Sequence, residues 1–154
     1  CDHPNHHTND MGSHVSKLCR EVYIEKSDFR EVNDPDYYRL APGKVIRLRY
    51  ADFYEYVSHT DKIVTIKEKI ITDKKDMKKV KGKIHWVGAD DSIKCTFEVF
   101  DKMLKTVMHG FVEKSVFESI NMNINVFQFE RLGYFKLDRY VEKKPVFIRV
   151  VELK

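Results

Sequence analysis

The sequence predicts an all-β protein organised as a barrel. Three observations carry that prediction. From Val45 onward the chain has period two, with Ile46, Leu48 and Tyr50 on one face and Val45, Arg47, Arg49 and Ala51 on the other, the pattern of a half-buried strand. Short β-branched or aromatic runs recur at 53–57, 63–70, 81–87 and 93–100, separated by turn formers and charge. No long amphipathic helix interrupts them.

Element by element, residues 1–17 are polar and histidine-rich, and Pro4, Asn5, Asn9 and Gly12 favour a loop or linker there. Residues 21–24 are the first strand candidate. Ser27-Asp28-Phe29-Arg30 fits a short helical turn, after which Asn33-Asp34-Pro35-Asp36 breaks the chain. The stretch 103–117 suits either a short helix or a strand pair, while 126–130, 133–137 and 146–151 read as closing strands. No self-similarity at solenoid spacing is visible.

The totals bound the function. A chain of 154 residues with 42% hydrophobic content fits one ordinary domain or two small barrels. Lysine and arginine exceed the acids by 28 to 24, too mild a balance to establish a nucleic-acid partner without a local concentration of charge. Cys1, Cys19 and Cys95 leave an odd count and no C-x-x-C pair, so no disulfide framework is implied and a reducing intracellular setting is expected. Apolar runs fall short of the roughly 20 residues of a membrane span, and no apolar signal core opens the chain, so a soluble protein is expected. The start at Cys1-Asp2-His3, without methionine, leads us to expect a piece of something longer.

The segment Val126-Phe127-Gln128-Phe129-Glu130-Arg131-Leu132-Gly133-Tyr134-Phe135 is apolar enough to be buried, yet it carries Gln128 and Arg131. Strand alternation turns Gln128 away from Phe127 and Phe129 but puts Arg131 on the aromatic face, unless a bulge or turn before Gly133 releases it. Unpaired RNA bases are read by stacking and by hydrogen bonds to their Watson–Crick edges. A glutamine amide offers both an acceptor and donors, matching a uracil edge, and arginine adds donors for a carbonyl or phosphate. The alternative is that Gln128 bonds neighbouring backbone and Arg131 pairs with Glu130 or another acid. Arg39, Arg47 and Arg49 present planar guanidinium groups able to grip phosphate or base edges and to stack; their alternative is a basic face balanced by Asp and Glu. The lysine-rich run 74–83 is a solvated charge run, adding salt-dependent attraction if it lies beside RNA.

Together with 21–24, 39–49, Lys81-Gly82-Lys83-Ile84-His85-Trp86-Val87 and Lys144-Pro145-Val146-Phe147, this segment closely resembles, in order and spacing, the C-terminal anticodon-binding region of the glutaminyl-tRNA synthetase family, over nearly the whole chain. The resemblance implies two small β-barrels with interrupted connectivity: 1–31 with 91–154 as the proximal barrel and N-terminal loop, and 32–90 as the distal one. It implies that Gln128 and Arg131 contact the middle anticodon base, that Arg39, Arg47 and Arg49 contact the other anticodon nucleotides, and that Asn5, in a His3-Pro4-Asn5 loop, stands at a contacting asparagine. Asn5 capping a turn is the alternative. Departures from the bacterial pattern are Tyr38 for a lysine, Asp36 for a glutamine and His14 for an arginine; the stretch 104–117 is shorter than its counterpart.

The partners implied are the tRNA(Gln) anticodon loop and the N-terminal catalytic domain of the parent chain, in the cytoplasm, with no membrane and no stated oligomeric state. ATP and magnesium belong to the parent; no cofactor and no catalytic residue is expected here, and this part should not charge tRNA. Lys102-Met103-Leu104-Lys105 lacks the serine of the parent's lysine loop. Cys1, His3, His6, His7 and His14 match no zinc spacing. No phosphate-binding loop, nucleophile elbow or catalytic carboxylate pair stands out. Two rivals remain: the same region of a glutamyl-tRNA synthetase of archaeal or eukaryotic type, and a barrel that binds protein instead of RNA.

Overall fold

A computed structural model describes residues 15–152. The chain is all-β: eleven strands and two helices of six and seven residues make up its regular elements among the described residues, apart from two 3-10 turns. It divides into two compact units, one running up to Glu21 and resuming at Val87, the other spanning Val22–Trp86.

In the inner segment the elements are β1 (Val22–Ile24), β2 (Val45–Leu48), β3 (Phe53–His59), β4 (Val64–Glu68), helix α1 (Lys74–Lys79) and β5 (Lys83–Ile84), followed by β6 (Trp86–Gly88). The main sheet has the order β4-β3-β2-β5. Strands β2, β3 and β4 are antiparallel, whereas β5 lies parallel to β2 with Arg47 opposite Lys83 and Leu48 opposite Ile84. Alternation in β2 works as the sequence requires, since Ile46 and Leu48 are buried and Arg47 is exposed. Leu40, Ile46, Leu48, Ile84 and Trp86 form the core, and the Trp86 indole donates to the Arg49 carbonyl at 2.9 Å. Tyr50 does not continue the apolar face: it turns the chain at φ 66° and is exposed, because the β2–β3 turn closes through Ala51 N–H to Leu48 O.

Past Val87 come β7 (Ser92–Asp101), β8 (Leu104–Glu113), α2 (Ser115–Asn121), β9 (Val126–Phe129), β10 (Gly133–Val141) and β11 (Lys144–Val151). Their sheet has the order β8-β7-β11-β10-β9. The ambiguous stretch 103–117 resolves into both candidates, a long strand paired to β7 and then the start of a short helix. Cys95, Phe97, Val99, Val112, Phe127, Phe135 and Phe147 are the buried core. Phe147 sits among Phe97, Phe127 and Phe129 at centroid distances of 5.9, 6.1 and 5.3 Å, so stacked and edge-on rings fill the space behind β9. Glu98 faces away from this core but is covered by Lys105 at 2.7 Å and by the two-pronged Arg139 at 2.8 and 3.3 Å.

Candidate nucleic-acid interface

In the unit that holds β9, three residues, Glu130, Arg131 and Leu132, join β9 to β10, and pairing resumes with Gly133 opposite Phe129 and Tyr134 opposite Gln128. The Leu132 N–H donates to the Phe129 carbonyl at 3.0 Å. Arg131 takes φ 64° and Gly133 φ 127°. A turn thus stands before Gly133 and takes the exposed Arg131 out of strand alternation. Arg131 and Glu130 each already have an interaction partner within the protein. Gln128 is different. Phe127 and Phe129 pack inward on either side of it, while its own half-buried amide makes no hydrogen bond among the described residues. An amide held on a rigid strand with donors and acceptor uncommitted is suited to a complementary base edge.

Within Val22–Trp86, Arg47 and Arg49 are both exposed on the side of β2 opposite Ile46 and Leu48. The Arg47 guanidinium lies 5.5 Å from the Phe53 ring centre and donates through Nε to the Ala51 carbonyl. Arg49, just beyond β2, lies 5.1 Å from the Tyr50 ring centre. These contacts hold both side chains against flat surfaces.

Arg39 is anchored. Its Nη1 is 2.9 Å from Oδ1 of Asp28, whose side chain is fully buried, and the Leu40 N–H donates to the Asp28 carbonyl at 3.0 Å. An acid thus balances this arginine, and 38% of its side chain is left exposed. Asn5, like Cys1, His3, His6, His7 and His14, lies outside the described residues.

The run 74–83, read both as a solvated charge run and, from Lys81 on, as the start of the 81–87 strand candidate, is divided in the structure. The structure splits it into α1, capped by the Asp73 carboxylate on the Lys75 N–H at 2.7 Å, and a strand start where Lys81 and Lys83 alternate with buried Gly82 and Ile84. The signal was present as Lys-Gly-Lys-Ile alternation. Among the described residues no helix is long and apolar enough to cross a membrane.

Comparison with known proteins decides the family. Two matches, over residues 1–70 and 83–138, carry the same description: tRNA synthetases class I (E and Q), anti-codon binding domain. They take in 70 and 56 residues, or 126 of the 154. The chain belongs to this family of anticodon-binding domains. Curated relatives of the domain include the glutamine–tRNA ligase of Sodalis glossinidius, 35% identical over 99% of this chain and 32% of that protein. That of Ralstonia pickettii is 34% identical over 94% of this chain and 30% of that protein, and that of Escherichia coli O157:H7 is 32% identical over 98% and 32%. This anticodon-binding chain therefore spans about a third of the length of the relatives it matches. The alignment with the Sodalis protein runs over 184 residues against 154 here, so that relative carries extra residues within the aligned stretch.

Proposed function

We propose that this chain is the anticodon-binding part of a glutamine–tRNA ligase, reading the tRNA(Gln) anticodon loop so that a catalytic domain of the parent ligates glutamine to that tRNA. The observation that carries the reading is the uncommitted amide of Gln128 beside the exposed Arg131 turn, in a domain of the anticodon-binding family whose relatives above are glutamine–tRNA ligases. Gln128 pairs with the edge of the middle base, Arg131 adds donors from the turn, and Arg47 and Arg49 stack on or grip the other nucleotides. Arg39 acts through its exposed portion, and Asn5 is kept as a further contact. The functional parts are the proximal barrel, 1–31 with 91–154, and the distal barrel, 32–90. The setting is the cytoplasm. ATP and magnesium serve the parent's aminoacylation.

The test is Gln128→Ala in the complete enzyme. Loss of one well-placed pair of base contacts costs about 1–3 kcal/mol, so aminoacylation efficiency should fall roughly 5- to 150-fold while ATP and glutamine binding persist. Unchanged tRNA kinetics would refute the role. The family description covers glutamate as well as glutamine enzymes, which keeps a glutamyl-tRNA synthetase as the second reading; comparing the charging of both tRNAs by the parent separates them. A protein-binding barrel would capture its partner undiminished after replacement of Gln128 and Arg131.

A further inference from the structure

Strand β5 and its approach extend the arginine face of β2. The Gly82 carbonyl accepts from the Arg47 N–H at 2.8 Å and the Ile84 carbonyl from the Arg49 N–H at 2.9 Å, so the two segments run side by side in parallel register. Gly82 points inward: a Cβ there would lie 3.0 Å from Ile46 Cγ2 and 2.1 Å from the Tyr38 carbonyl oxygen. With Ile84 also buried, Lys81 and Lys83 point outward, on the same side as Arg47 and Arg49.

This places Lys83 directly beside Arg47, an arrangement of like charges that is unfavourable without a counterion. Among the described residues no carboxylate pairs with Arg47, Lys81 or Lys83. Two lysines elsewhere in the same unit are neutralised, Lys69 by Glu55 and Lys79 by Asp76, each at 2.7 Å. Instead, Lys81 lies 4.7 Å from the centre of the half-exposed Tyr38 ring, as Arg47 lies over Phe53 and Arg49 over Tyr50. Lys81, two residues ahead of Lys83 at the start of β5, lies about 6.6 Å from it for an extended chain, close to the separation of successive phosphates in an extended strand. Lys81 falls between the two matched stretches, which end at residue 70 and begin at residue 83.

We propose that Lys81 and Lys83, beside Arg47, form a phosphate ladder that grips the RNA backbone across β2 and β5, the two lysines contributing affinity and no base selection. The inference rests on the RNA-binding reading above and assigns it a further contact surface. Arg47 and Lys81, each beside a flat ring and without a carboxylate partner among the described residues, suit a polyanion that also presents bases.

The test uses the whole 154-residue chain and two RNA probes, the glutamine anticodon stem-loop and one with its middle uridine changed, titrated over a range of KCl. Removing two single-strand phosphate contacts in K81Q/K83Q should reduce the salt slope by about 1.4 and weaken binding roughly 25-fold at 0.1 M salt. Preference between the two probes should stay unchanged, and K81R/K83R should restore the slope. K74Q/K75Q removes the same charge from α1 and should change the slope far less. Equal effects of the two lysine-to-glutamine pairs, an unchanged slope, or loss of probe preference in K81Q/K83Q would overturn the ladder. If the wild-type chain distinguishes the probes while K81Q/K83Q leaves the slope intact, the ladder falls and the anticodon reading stands; if wild type binds neither probe at low salt, both fall.

Discussion

Gly133→Ala tests whether the backbone behind Arg131 is what presents it. Gly133 is the first residue of β10, directly opposite Phe129, and adopts φ 127°, a region that costs a side-chain-bearing residue about 1–3 kcal/mol. The added Cβ would stand 2.5 Å from the Val151 carbonyl oxygen, and 3.2 Å from Arg149 Cδ. Arginine methylenes can move aside; a ladder carbonyl cannot, so the β10–β11 pairing must shift at a further cost of about 1 kcal/mol for a weakened hydrogen bond. The total is about 2–4 kcal/mol, a large part of the about 5–15 kcal/mol that holds a domain together. Urea unfolding followed by far-ultraviolet circular dichroism should show the midpoint falling by roughly 1–2 M for a typical urea dependence. In the folded population the 130–132 turn is displaced, and preference for the stem-loop with the middle uridine should decline with it. An unchanged midpoint would show that the strand accommodates the methyl group, and the argument from Gly133 to Arg131 would fail.

Arg39→Ala should destabilise the protein by about 1–3 kcal/mol, because it leaves the buried Asp28 carboxylate with fewer donors. Arg39→Lys should recover part of that in thermal melts; equal melting temperatures for Arg39→Ala and wild type would remove the anchoring role. Glu98 gives the pH dependence. Its hydrogen bonds from Arg139 and then Lys105 outweigh desolvation and hold its carboxyl below the ordinary 4.5. A carboxylate with a depressed folded pKa stabilises fully above its unfolded value, and loses that contribution as pH falls through the folded value. Melts taken below pH 4.5 should therefore show wild type losing stability more steeply than Glu98→Gln; parallel curves would exclude Glu98 as the source.

What was legible in the sequence is what depends on neighbours along the chain. Ile46 and Leu48 face in, Arg47 faces out, and the turn before Gly133 lies where a glycine follows a broken alternation. Tyr50 was misplaced because a turn, not a strand, follows Leu48, and turn closure at Asp52 depends on backbone geometry that residue type only weakly constrains. The Asp28–Arg39 pair could not be read at all: an acid in a short helical turn and a basic residue eleven positions later look like two solvated charges until the fold buries one of them. Lys81 and Lys83 were read in two ways, as the start of the 81–87 strand candidate and as the end of the charge run 74–83, and it is their alternation with buried Gly82 and Ile84 that separates them from α1.

The arginines and Gln128 therefore call for different experiments. Arg39 is held by a buried acid, and Arg47 and Arg49 lie over rings, so truncating any of them removes packing or charge balance along with the proposed ligand contact. Gln128 has no such commitment among the described residues, and its position is fixed by Phe127 and Phe129 packing behind it against Phe147. A half-buried amide without a partner gives up part of its hydration in the free protein, and a base edge with complementary donors and an acceptor restores it. A base lacking that pattern leaves the amide unsatisfied, which is a penalty against the wrong nucleotide and not merely a weaker bond to the right one. On the proposed reading, discrimination is strongest where the protein invests least in its own folded state, and Gln128→Ala is the substitution whose expected effect on RNA preference is cleanly separable from its effect on stability.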